Sequence, residues 1–126
     1  MMKLPLSVYY ITLNEEERLP ESLEKVKEWA GEIIVVDSGS TDRTCELAEA
    51  AGARVVYREW EGFASQKAFA ASLCVNDWVL DLDADEVLSD TLVRNIKQLF
   101  SKPISPDVAG YRMRWVLSSP NPRHPF

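Results

Sequence analysis

The residues able to do chemistry gather in four short stretches. The densest is Asp81-Leu82-Asp83-Ala84-Asp85-Glu86, which runs straight on from the apolar Trp78-Val79-Leu80. If strand alternation persists through it, Asp81, Asp83 and Asp85 share one side. Crowded carboxylates raise one another's pKa. A divalent cation removes that cost, and an oxygen-only donor set suits Mg2+ or Mn2+. Such an ion, keeping some of its waters, bridges carboxylates and a diphosphate. A solvated acidic turn gives the same letters, so both readings stand at this point.

The second stretch is Asp37, at the end of Ile33-Ile34-Val35-Val36, with Ser38-Gly39-Ser40-Thr41-Asp42 after it. Asp37 is either a turn or helix-capping residue, or a carboxylate that accepts the N3–H of uracil, a donor cytosine lacks. Gly39 permits a positive-φ turn or close ligand approach. The third is Thr12-Leu13-Asn14-Glu15, which follows another apolar run. The fourth is Lys67 within Phe63–Leu73, either a solvated lysine or a counter-charge for a diphosphate. Trp60 and Trp78 read as core or rim packing, and Trp115 is open to packing or sugar contact.

These stretches need elements to position them. Leu6–Leu13 and Arg54–Tyr57 read as strands from their β-branched and aromatic content, and Glu32–Val36 as a strand apolar on both faces. Trp78–Leu82 is a fourth. Leu19, Leu23, Val26 and Ala30 recur at helical spacing, which predicts a helix over Leu19–Trp29 with Pro20 in its first turn and Gly31 at its end. A second helix is expected from about Thr41 to Ala51, closed by Gly52. A third covers Phe63–Leu73. A fourth is capped by Ser89 and buries Leu92, Val93, Ile96 and Leu99. Gly110–Leu117 alternates like a half-exposed strand, and Ser118–Phe126 is Pro-rich. The βαβαβαβα order predicts one α/β domain, a mostly parallel sheet with helices on both faces. In such sheets ligands sit at the carboxyl ends of the strands, where all of these stretches but Lys67 fall.

The 126 residues suffice for one domain. With 46% apolar and 27% charged residues the chain is globular in composition. A net charge of −6 argues against a nucleic-acid binder, which needs clustered Lys and Arg. Cys45 and Cys74 lack metal-ligand or CxxC spacing and read as reduced core thiols of an intracellular protein. The lone His124 cannot make a metal site. No secretory leader or membrane span is expected, and peripheral membrane contact stays open.

Four segments, VYYITLNEEERLPESL, EIIVVDSGSTDRTCELAEAAGARV, WEGFASQKAFAASL and DWVLDLDADEVLS, cover most of residues 7–100. Together and in order they resemble the inverting glycosyltransferases of GT-A family 2, and more closely the bacterial lipopolysaccharide core glucosyltransferases within it. The resemblance implies a Rossmann-like GT-A fold, a nucleotide-sugar donor, and a glycan or glycolipid acceptor. It places Thr12, Asn14 and Glu15 along the nucleotide loop, Asp37 at the base (usually uracil), Ser38 among the nucleotide-binding residues, and Lys67 near the donor. Asp85 matches the direct ligand of a Mg2+ or Mn2+ ion, and Asp83 lies nearer the ribose or the metal's waters. Family members are longer, and their second half carries the acceptor site and a carboxylate general base. Residues 1–126 therefore read as the donor-binding portion, expected to bind donor without completing transfer. A membrane-anchored acceptor would put the protein at the cytoplasmic face of a bacterial inner membrane. Two rival readings are a phosphotransferase with a nucleophilic DxD aspartate and a non-catalytic nucleotide-binding module.

Overall fold

The structure, a computed structural model, describes residues 3–110. Its elements alternate as β1 (Leu6–Thr12), α1 (Leu19–Glu24), β2 (Glu32–Asp37), α2 (Thr44–Ala50), β3 (Arg54–Tyr57), α3 (Phe63–Leu73), β4 (Trp78–Asp81) and α4 (Asp90–Leu99). The expected strand at Gly110–Leu117, with Trp115, the Pro-rich tail and His124, lies outside the described residues apart from Gly110.

All strand pairs are parallel, in the order β3-β2-β1-β4. The order reverses between β1 and β4. Open α/β sheets of this order bind ligands in the crevice at that switch point, beyond the carboxyl ends of the strands. Register sets what meets there. Thr12 lies opposite Asp37, Asp37 opposite Tyr57, and Asp81 opposite Tyr9.

Side chains alternate between two cores because strand residues alternate between faces. Leu6, Val8, Tyr10, Ile33, Val35 and Leu80 pack with residues of α1, α2 and α4. Tyr9, Ile34 and Val36 pack on the other face against Ala70 and Phe69 of α3. This two-sided burial explains why β2 is apolar without alternation. Gly31 ends the α1 connection because nothing larger fits. A Cβ there would lie 2.3 Å from the carbonyl oxygen of Leu4.

Three expectations are corrected. The first helix stops at Glu24 rather than Trp29. Beyond it the chain tightens into turns that donate to Ser22 and Leu23, yet Val26, Trp29 and Ala30 stay buried. The α2 helix begins at Thr44, not near Thr41. Residues 38–43 are instead an irregular loop, and Asp42 accepts the Thr44 N–H at 2.9 Å as a cap. Cys45 and Cys74 are free and only partly buried: Cys74 packs against the edge of the α3-side core, whereas Cys45 joins neither core. Trp78 packs edge-to-face on Phe100 with ring centroids 6.4 Å apart, whereas Trp60 is 45% exposed beside Phe63. Among the described residues no helix is long and apolar enough to cross a membrane.

Candidate functional site

The acidic stretch leaves β4 at the lip of the β1/β4 crevice. The strand ends at Asp81, but the alternation expected of it runs on. The Leu82 N–H still donates to Tyr9 at 3.1 Å. Leu82 and Ala84 are buried in the α1/α4 core, while Asp81, Asp83 and Asp85 are exposed. The reason is anchoring by the apolar residues between them, not continued sheet pairing. A turn then closes the segment, with the Glu86 N–H donating to the Asp83 carbonyl at 2.9 Å and the Glu86 carboxylate accepting the Asp83 N–H at 2.8 Å.

A buried pillar, which sequence reading missed, supports that turn. Ser22, fully buried on α1, donates to the Glu86 carbonyl at 2.5 Å. Its oxygen accepts the Tyr10 hydroxyl at 2.7 Å, since a carbonyl leaves the serine no other role than donor. The signal was there: Ser22 interrupts the apolar face made by Leu19, Leu23 and Val26. Burial raises the Tyr10 pKa to about 12. Ser22→Ala orphans a buried hydroxyl and a carbonyl, and should lower stability by about 1–3 kcal/mol, measured as the shift of the urea unfolding midpoint. No shift would mean that water replaces the hydroxyl.

Lys67 projects from α3 to this lip. Its ammonium lies 3.0 Å from Asp81 Oδ2. The hydrogen bond that the ammonium donates to Asp81 raises the Lys67 pKa, with smaller contributions from the Asp83 and Glu86 charges. The pair is more than a third exposed, so its net energy is modest. Its value is placement: one cation stands beside three carboxylates. Asp81 is thereby engaged by Lys67, and it also borders Tyr9, whose pKa rises to about 12 through burial first and Asp81 second.

The Asp83 and Asp85 carboxylates take part in no hydrogen bond or ion pair among the described residues. No cluster of three or more His, Cys, Asp or Glu that could hold a metal ion occurs among the described residues either. Two exposed carboxylates, with the third engaged by Lys67, suit a hard cation that completes its shell with waters and substrate phosphate oxygens, the habit of Mg2+. The donor chemistry fits.

The other stretches form a second assembly on the rim. Asp37 is 3% exposed. Its Oδ1 accepts the hydroxyls of Thr12 at 2.7 Å and Ser40 at 2.6 Å, and its Oδ2 accepts the N–H groups of Gly39 at 3.0 Å and Ser40 at 2.7 Å. Burial pushes its pKa up, but these bonds, Ser40's foremost, outweigh burial and hold it below the usual carboxylate range. Gly39 has φ 120°, which favours glycine. Asn14, at φ 52°, bridges the loops: its N–H donates to Ser40 Oγ and its Oδ1 accepts the Thr41 N–H, each at 2.8 Å. The Glu15 N–H donates to Thr44 Oγ1 at 2.8 Å. The Glu15 carboxylate pairs with Arg18 at 2.8 Å. The Ser38 N–H donates to the Thr12 carbonyl at 3.1 Å, and its hydroxyl reaches the same oxygen at 3.3 Å.

Thr12, Asn14, Glu15, Asp37 and Ser38 are thus brought together, and Lys67 joins the acidic lip with Asp83. Of the two readings of Asp37, the turn-organising one accounts for three of its bonds, and the fourth, from Thr12, ties the turn to β1.

The family model described as Glycosyl transferase family 2 matches residues 7–122. An uncharacterized glycosyltransferase of Rickettsia conorii is 42% identical over 120 residues, which is 95% of this chain and 43% of that protein. The lipopolysaccharide core biosynthesis glycosyltransferase LpsC of Rhizobium meliloti is 40% identical over 116 residues, 88% of this chain and 42% of LpsC. The crystal structure of glucosyl-3-phosphoglycerate synthase from Mycobacterium tuberculosis, in complex with Mn2+, UDP and glucosyl-3-phosphoglycerate, superposes with a TM-score of 0.58 at 31% identity, over 64% of this chain and 33% of that one. The chain therefore spans less than half the length of each.

Proposed function

The chain belongs to glycosyl transferase family 2 and carries its GT-A fold, and from that premise we propose that residues 1–126 are the donor-binding portion of a sugar-transferring enzyme. The donor is a nucleotide-diphosphate sugar, with uridine as the nucleoside. The acceptor is a hydroxyl of a glycan or glycolipid, and transfer inverts the anomeric carbon. The observation that carries this reading is the outward-facing Asp83 and Asp85 at the β1/β4 switch point, with the Lys67 ammonium paired to Asp81 just before them. Similarity to a protein solved with UDP and Mn2+ supports the donor and the cation. Similarity to LpsC supports an acceptor in the lipopolysaccharide core, which would put the protein at the cytoplasmic face of the inner membrane.

Asp85, with Asp83 beside it, would hold a divalent cation. When bound, that ion supplies positive charge against the negative charge that develops on a departing diphosphate. The chain's own residues bind and orient the donor. Lys67 adds a fixed cation at the same lip, and Asp81 keeps it there. Thr12, Asn14, Glu15, Asp37 and Ser38 shape the nucleoside end of the groove. The carboxylate that takes the acceptor's proton belongs to the acceptor half, outside this sequence. A phosphotransferase reading is weaker, because a nucleophilic DxD usually follows the first strand and β1 here ends in Thr12.

Calorimetry of UDP, GDP and ADP, each with and without Mn2+ or Mg2+, tests the proposal on this chain. Binding that prefers UDP and requires the cation is expected. Equal affinity for GDP would overturn the uridine assignment. A folded chain that binds none of the three would overturn the donor site.

A further inference from the structure

Asp37 sits at the nucleoside end of the proposed groove, where a carboxylate would be expected to read the base. Its surroundings point elsewhere. A carboxylate has about four lone-pair positions, and Thr12, Gly39 and Ser40 donate four hydrogen bonds to this one. The Cys45 thiol of α2 leans on it as well. A uracil N3–H would arrive at an acceptor already filled, and 97% of the residue's surface is already covered, given its 3% exposure.

Strand parity gives an independent reason. Ile33 and Val35 of β2 face the α1/α2 core, so Asp37, two residues on, points to that same side, where Cys45 meets it. Lys67 and Asp81 meet on the opposite side, under α3. The carboxylate is therefore turned away from the face that carries the acidic lip.

What Asp37 does hold is the rim. It binds β1 directly through Thr12. Through the Ser40 hydroxyl, which donates to Asp37 and accepts the Asn14 N–H, it reaches the β1–α1 loop. We infer that Asp37 is a positioning residue, which ties the β1–α1 and β2–α2 loops into one edge for the nucleotide, and that base selection is made without its carboxylate. The inference deepens the donor-site reading and rests on it for the nucleotide.

Asp37→Asn supplies the test, because its amide turns an N–H2 toward donors that need an acceptor. Calorimetry with Mn2+ should show UDP and CDP affinities both falling about tenfold, with their ratio unchanged, at a temperature where the variant is folded. A fall for UDP alone, with CDP held or improved, would overturn the inference, since CDP lacks the N3–H. If Asp37→Asn does not fold, Ser40→Ala decides: a positioning role weakens both nucleotides together, whereas a base-reading carboxylate freed of one donor keeps or improves UDP. Amide hydrogen exchange separates this from a failure of the donor-site reading. In either variant the Asn14 amide, on the other loop, should lose protection whether or not nucleotide binds. Unchanged protection there overturns the tie between the loops.

Discussion

Asp85→Ala should abolish the cation-dependent part of UDP binding by this chain and, in the whole protein, sugar transfer itself. The carboxylate is exposed and held by no partner among the described residues, so its removal leaves no buried group orphaned. Stability should stay within about 0.5 kcal/mol of the parent. Function should not. Charge stabilisation by a bound cation is worth several kcal/mol, and each 1.36 kcal/mol is tenfold, so a loss of roughly a thousandfold in turnover is expected. The readouts are UDP calorimetry with and without Mn2+, and turnover of UDP-sugar by the longer protein. Asp81→Asn is the matched control. Asp81 is engaged by Lys67 at 3.0 Å, so its loss should weaken nucleotide affinity modestly and leave the response to Mn2+ in place. If Asp85→Ala keeps its Mn2+ response and Asp81→Asn loses it, the ligand assignment is displaced by two same-side positions along the segment.

Much of this site was legible in the sequence because strand ends are marked by abrupt changes of residue type. Four apolar runs ending in polar or acidic residues gave the sheet, its parallel sense and the rim on which Thr12, Asp37 and Asp81 stand. Family resemblance then connected those ends to a donor. The errors have a common cause. Helical spacing continues through Val26 and Ala30 although the hydrogen bonds tighten after Glu24, because burying a face does not require α geometry at every turn. Ser40 and Thr41 look like helix caps, yet they are claimed by Asp37 and Asn14. Only tertiary pairing between two loops, separated by more than 20 residues, decides which side chain caps what. Ser22 illustrates the same limit. A polar residue on an apolar helix face announces a buried partner, but nothing in the sequence says that the partner is the Glu86 carbonyl.

The alternation of Leu82 and Ala84 with the aspartates leads to a test in which stability and function move together. Leu82 is 3% exposed and belongs to the core shared with Leu88 and Ile96. Leu82→Ala removes that anchor and leaves a cavity, at a cost of about 2–5 kcal/mol. The urea midpoint should fall with little change in slope, as for a loss of stability without loss of compactness. Nucleotide affinity should fall as well, although Leu82 touches no ligand, because the backbone that aims Asp83 and Asp85 loses its inward hold. The dependence on Mn2+ should survive, since both carboxylates remain. Val79→Ala on the same strand is the comparison. Val79 is 38% exposed on the other face, so its loss should cost well under half as much and leave UDP affinity unchanged. Equal effects from the two would mean that the acidic lip is positioned by β4 as a whole. A selective loss at Leu82 would place the control in the pattern of one buried residue between each pair of exposed carboxylates, which is how a strand-like segment can present a charged edge after its sheet pairing has ended.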